Sequence, residues 1–497
     1  MAEPRATRIH DTALRGTEVV PAPATPQLAI PASRFAADPH RPRYHAKPTA
    51  AWTNEPHGLI RWNGAWHLFY QKNANGPYWG QIHWGHLRSQ DLVHWTEAPI
   101  ALAPGPGFDQ KGCWSGSVAV HQGTPSIVYT GVDGDHACVC LATSGGDLSQ
   151  WTKYQGNPVI PSAPAGLELD DFRDPFVWQQ NGLIYAIIGS GIKGRGGTAL
   201  LYKTDDLRHW TFLKLLLIGD SRESGRFWEM PVFVPIGGRH LLIVCEVPGR
   251  SSYWIGTWKD ETFTPDDPKP RRLDLFNHFL SPTPYVGDDG TVTVIGISPD
   301  TRNASEAWKA GWAHVYGLPR VLSLDGGGRL RQRPAAQLQS LRGPRFSLGE
   351  RTLRSERFTV GAEGNSLEIV AKFLPGDAQR FGVSLCGSPG GEEETLLSYD
   401  ASAATLTLDR TRSSLNPKVR RDVSTVPFVL DPGEQLELHV FLDRSMLDVF
   451  VCGRAAFTSR VYPGREDSRL VRVFSEGGSA TLESLEAWQM DQKECVT

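Results

Sequence analysis

An Asp-Leu-x-x-Trp signature recurs three times at nearly constant spacing, and it limits the folds open to this chain. It reads Asp91-Leu92-Val93-His94-Trp95, Asp147-Leu148-Ser149-Gln150-Trp151 and Asp206-Leu207-Arg208-His209-Trp210. The copies begin 56 and 59 residues apart. Each closes a stretch with strand-like patterning: residues 67–70 and 82–87, then 126–129 and 137–142, then 184–188 and 199–203. A period of this length holds four short strands with their connections, the size of a propeller blade. Alternation over residues 291–297 carries the β character to about residue 325, enough for four or five blades. Three similar hairpins in an ordinary β-sandwich are the competing arrangement.

A chain of 497 residues exceeds one ordinary core, so two domains are expected. Its 51 Gly and 36 Pro suit a turn-rich, all-β protein. The texture turns loop-like at residues 340–349. Beyond it come alternating runs at 366–373, 405–409, 436–442, 446–451 and 470–474, which predict an antiparallel β-sandwich. The expected division is an N-terminal arm over 1–40, rich in Pro, Ala and Arg, a propeller over 41–335 and a sandwich over 345–497.

A net charge of −3 favours neither nucleic acid nor an anionic membrane as partner. No apolar run reaches the roughly 18 residues that span a bilayer. Residues 1–30 lack an apolar signal core, so the chain is expected to be an extracellular protein in mature form or a cytoplasmic one. The seven scattered cysteines, including Cys138-Val139-Cys140, lack the spacing of a zinc site and read as buried thiols. Oligomeric state is open.

Three short motifs carry a carboxylate one or two residues before a Pro: Trp52-Thr53-Asn54-Glu55-Pro56-His57-Gly58, Phe172-Arg173-Asp174-Pro175 and Trp228-Glu229-Met230-Pro231. A retaining glycosidase needs two carboxyl groups about 5 Å apart across a sugar ring, one as nucleophile and one as acid/base. Acids far apart in sequence but set in similar repeats can converge that way around a central axis. Sixteen Trp supply rings able to stack on sugars, although many will be core residues.

These residues resemble glycoside hydrolase family 32, the invertases, inulinases, levanases and related fructosyl enzymes. The family's motifs Trp-x-Asn-Asp-Pro-Asn-Gly, Arg-Asp-Pro and Glu-Cys-Pro are matched at 52–58, 173–175 and 229–231. Further matches are Phe69-Tyr70-Gln71, Trp79-Gly80, Trp84-Gly85-His86, Trp114-Ser115-Gly116-Ser117, Gly311-Trp312 and Asp443-Arg444-Ser445 with Asp448. The resemblance runs from about residue 40 to 490. It implies a five-bladed β-propeller joined to a β-sandwich, with no metal or organic cofactor.

Carried over residue by residue, it implies Glu229 as acid/base, with a pKa raised by desolvation beside Trp228 and Pro231. Asp174 becomes the transition-state stabiliser, kept ionised by Arg173. Trp52, His57, Gln71, Trp79, Trp114, Ser115 and Arg173 become substrate-binding candidates. The nucleophile is ambiguous. The family's Asp falls on Glu55, one methylene longer, and a misplacement of about 1 Å can cost roughly a hundredfold in rate. Asn54 is the isostere of Asp, so position 54 is the other candidate, with the carboxylate removed in this chain.

The departures at Glu55, His57 and Met230 look most like a levan fructotransferase. Such an enzyme converts β-2,6-levan to a cyclic difructose dianhydride and needs a deep pocket. Gly189-Ser190-Gly191 and residues 194–198 are expected to provide the room. A levanase or β-fructofuranosidase acting on fructan, fructo-oligosaccharide or sucrose is the alternative within the family. A fructan-binding protein with a degenerate site is the non-enzymatic one.

Overall fold

The computed structural model describes residue 35 and residues 37–134, 136–247 and 249–490. Most of the expected arm, residues 1–34 and 36, lies outside the described residues, as do residues 491–497 with Cys495. Five antiparallel sheets form the first part of the chain. Their innermost strands are Ala51–Trp62, Gly112–His121, Arg173–Gln180, Trp228–Ile236 and Leu280–Val286, followed outward by strands in chain order. Each innermost strand contacts the next and the fifth contacts the first, which closes a five-bladed propeller.

The repeated signature is the turn between the third and fourth strands of blades one, two and three. Asp91, Asp147 and Asp206 each accept backbone N–H groups two or three residues on. Each Trp indole donates to the carbonyl of the Leu three residues back, at 3.0–3.1 Å. Leu92, Leu148 and Leu207 adopt φ of 72°, 62° and 62°, in the left-handed region that Leu normally avoids. All three are buried, and that burial offsets the strain.

The ring is closed by residues late in the sequence. Trp312–Ala313 pairs in parallel with Ala51 and Trp52 of blade one, while Val315–Tyr316 pairs with Val292–Ser298 of blade five. The Tyr316 hydroxyl donates to the Asn54 carbonyl at 3.0 Å and meets the Thr53 hydroxyl, so the closure grips the first carboxylate motif directly.

Residues from Arg342 onward form a seven-stranded and a six-stranded sheet packed face to face over an apolar core that includes Ile369, Phe381, Leu408, Val440 and Val473. The loop expected at 340–349 is instead a 3₁₀ turn, Ala336–Leu341, and an edge strand, Arg342–Leu348. Its Gly, Pro and Arg residues read as loop, but edge strands tolerate them. Arg342 pairs with Glu368 and lies over the Trp488 ring.

Buried polar contacts join the two parts. Arg320 of blade five and Asp274 have no solvent-exposed side-chain surface and pair at 2.8 Å; Asp274 also accepts the backbone N–H of Thr458 in the sandwich. His45 bridges Asp443 and Asp448 at 2.8 Å each. The cysteines within the described residues are free thiols, all buried but the half-buried Cys452. No helix of the described residues is long and apolar enough to cross a membrane.

Removing one partner of a buried pair strands the other charge, at a cost of about 3–5 kcal/mol. Asp274→Ala is therefore expected to lower stability by about that amount in equilibrium urea unfolding. A loss below about 1 kcal/mol would show that the junction is not held this way.

Candidate active site

All five innermost strands break their pairing at the same level. Register shifts fall at Thr53/Pro56, Trp114/Gly116 and Glu229/Val232, at Leu280/Thr283, and opposite Arg173 in blade three. Four of the breaks carry a Pro, at Pro56, Pro175, Pro231 and Pro282; Pro has no N–H for the ladder and sits readily at a bulge. The fifth carries Gly116, where a Cβ would lie 2.0 Å from the Val128 carbonyl oxygen. Asp174, Met230 and Ser281 take positive φ of 63°, 45° and 47°. Bulges re-aim side chains. Here they turn polar groups from successive blades toward one end of the axis.

The resulting cleft, of about 360 Å³, is lined by Asn54, Glu55, Gln71, Trp79, Ile82, Trp114, Arg173, Asp174 and Glu229. Glu55, Asp174 and Glu229 come from blades one, three and four. Glu55 is the half-buried residue of its motif and accepts from Ser115 at 2.9 Å, Gln71 at 3.0 Å and Ser281 at 3.3 Å. Asn54 donates its amide to the Gln71 carbonyl oxygen at 3.1 Å. Arg173 sits between the acids, paired to Asp171 at 2.8 Å, to Asp174 at 3.7 Å and closely to Glu229, with its guanidinium over the Phe227 ring.

Burial outweighs Arg173 at Asp174. The carboxyl is pushed up to about 6 by desolvation, against the pull of Arg173 and of the Met230 N–H, 3.1 Å away. The expectation that Arg173 alone would hold Asp174 ionised neglected this burial. For Arg173 the balance goes the other way: the surrounding carboxylates overcome desolvation and raise its pKa.

Some candidates lie elsewhere. His57 is buried and stacked on Trp84, 3.8 Å between ring centroids, with its pKa driven far down by burial; it does not line the cleft. Trp52 is fully buried, in a cluster with Ile82 and Trp114 behind the wall. Ser115 acts from behind the lining, through Glu55 and Gln71. Three of the glycines expected to open a deep pocket do the reverse. A Cβ at Gly189 or Gly191 would meet the Trp228 or Arg226 carbonyl at 2.4 and 2.2 Å, and one at Gly197 the Trp228 ring at 2.1 Å. They let blades three and four close up.

Sequence reasoning missed Ser281. The signal was present: Ser281-Pro282 repeats the acid-Pro or Met-Pro step of the other inner strands. Cys245, read in the sequence as one of the buried thiols, is buried and faces Glu229 in the strand register, its thiol driven far up by burial.

Comparison with known proteins gives one answer. Residues 45–334 match the glycosyl hydrolases family 32 N-terminal domain and residues 337–489 the glycosyl hydrolases family 32 C terminal domain. Sucrose-6-phosphate hydrolase of Escherichia coli is 32% identical, with 90% of this chain and 94% of that protein covered. Raffinose invertase of Escherichia coli is 30% identical, covering 90% and 95%. Among solved structures, fructan 1-exohydrolase IIa of Cichorium intybus matches with a TM-score of 0.84 at 25% identity, over 92% of this chain and 98% of that one. The ring of five blades, the acids converging at its axis and these matches over both halves of the chain lead to one conclusion: it belongs to glycoside hydrolase family 32.

Proposed function

We propose that the chain hydrolyses the terminal β-fructofuranosidic bond of sucrose-type substrates and short fructo-oligosaccharides, with retention at the anomeric carbon. The convergence of Glu55, Asp174 and Glu229 from three blades on one cleft carries this reading. The names of the relatives, hydrolases and invertases, support water as acceptor. A relative from Bombyx mori has been solved with sucrose and the chicory enzyme with 1-kestose.

Glu55 is the nucleophile in this reading. Its carboxylate attacks the anomeric carbon while Glu229 gives a proton to the departing oxygen; Glu229 then takes a proton from the water that cleaves the fructosyl ester. Gln71, Ser115 and Ser281 fix the Glu55 carboxylate, which answers the extra methylene by holding the longer chain in place. Asn54 serves through its amide. An Asp at 54 would set a carboxylate against the Gln71 carbonyl, and flipping Gln71 to relieve that would turn its carbonyl to Glu55. Asp174, when ionised, accepts sugar hydroxyls and strengthens those bonds as positive charge develops on the ring.

The levan fructotransferase reading rested on three departures, of which His57 and Met230 do not line the cleft, and on a deep pocket for which the glycines make no room. Product analysis separates the two. Free fructose as the early product from sucrose and oligosaccharides supports hydrolysis. A cyclic disaccharide without a reducing end as the main product from levan would replace this reading with the transferase.

Glu55→Gln is expected to lower kcat by roughly a thousandfold or more, and Asn54→Asp to lower activity rather than raise it. Activity appearing only in Asn54→Asp would make position 54 the nucleophile. Glu229→Gln should cost roughly 10²–10⁴-fold on natural substrates and far less on an aryl fructoside whose leaving group needs no proton; equal losses on both would remove Glu229 from the acid role. Because the ionised form of Asp174 is the working one and its carboxyl lies near 6, kcat/KM should fall as pH drops below about 6. A flat profile down to about pH 4 would contradict that assignment.

A further inference from the structure

Trp308 is exposed while most other Trp rings are packed. At 44% exposure it is the one aromatic ring among the exposed large hydrophobic side chains of the described residues. It lies on a short helix α1, Ala304–Ala310, in the segment leading to the ring-closing strand. The helix is held firmly. Asn303 caps its start, Gly311 ends it at φ 77°, and its Ala307 is buried with Ile82, Trp114 and Trp79, all three of which line the cleft. The sandwich adds a brace: Lys418 reaches Glu306 at 3.6 Å.

Trp308 packs on Tyr78, ring centroids 5.6 Å apart and 30° between planes. Tyr78 directly precedes Trp79, which lines the cleft. Opposite them Gly76 keeps the space clear, for a Cβ there would stand 2.5 Å from the Tyr78 ring and 3.1 Å from Trp308. A large ring held rigid in water, continuous with the wall of a sugar-cleaving cleft, offers an apolar face to the C–H side of a further sugar. Lys309 and Lys418 share a single carboxylate, Glu306, at 3.3 and 3.6 Å.

We propose that Trp308, backed by Tyr78, is a substrate-binding platform for a further sugar ring on the leaving-group side of the scissile bond, selecting oligosaccharides over shorter substrates. This rests on the reaction proposed above. The test compares kcat/KM for a neutral fructosyl trisaccharide, methyl β-fructofuranoside and sucrose 6-phosphate in the full chain and in Trp308→Ala and Trp308→Phe. The ratio of trisaccharide to methyl fructoside should fall about five- to tenfold in Trp308→Ala, through KM, and be largely retained in Trp308→Phe. An unchanged ratio, with both substrates lowered alike or not at all, would overturn the platform while leaving the reaction intact. Failure of the unaltered chain to cleave any of the three would overturn the reaction itself, and the platform with it.

Discussion

Asp174 and Glu229 share one small cleft because Arg173 lies between them. Taking Asp174 and Glu229 out of water together would cost several kcal/mol for each ion if nothing compensated. The guanidinium touches both as well as Asp171, and its flat faces let Trp114 and Phe227 pack around it. Lysine could not do the same, since a point charge lacks the planar fork that meets several carboxylates at once. The blades bring the acids within reach, but this cation allows them to stay there.

The same balance explains why Asp174 departs from its expected behaviour. A neighbouring cation is visible in sequence as Arg173-Asp174; the degree of burial is not, because it depends on how closely blades three and four approach. That approach is set by Gly189, Gly191 and Gly197, each with a carbonyl or an indole ring where a Cβ would be. Those glycines read as loop in sequence and as room in a pocket. Packing alone reveals that they are places of close approach between the two blades.

What the sequence made legible is periodic or chemical. The Asp-Leu-x-x-Trp turns announced the blades because each encodes its own local hydrogen bonds, and the three carboxylate motifs, spread over similar repeats, announced acids that converge around the axis. Two things stayed hidden. Side-chain direction at a bulge follows from φ, so nothing in Trp52 or His57 as letters told that they point away from the cleft while Asn54 and Glu55 line it. Contacts between distant residues, such as Ser281 with Glu55, need the ring to be closed before they exist.

That closure makes the site a property of the finished chain. Tyr316 and Asn54 stand 262 residues apart in sequence, yet the hydroxyl of one holds the backbone of the other, and Trp312 and Ala313 complete the sheet edge along Ala51 and Trp52. During synthesis the first blade emerges without the Tyr316 and Ser281 contacts to its acid motif and lacks them until the fifth blade has followed. A ribosome-bound fragment of four blades would hold Glu55, Asp174 and Glu229 and still lack the finished cleft, so the appearance of sugar cleavage in a growing chain would time the docking of its last blade.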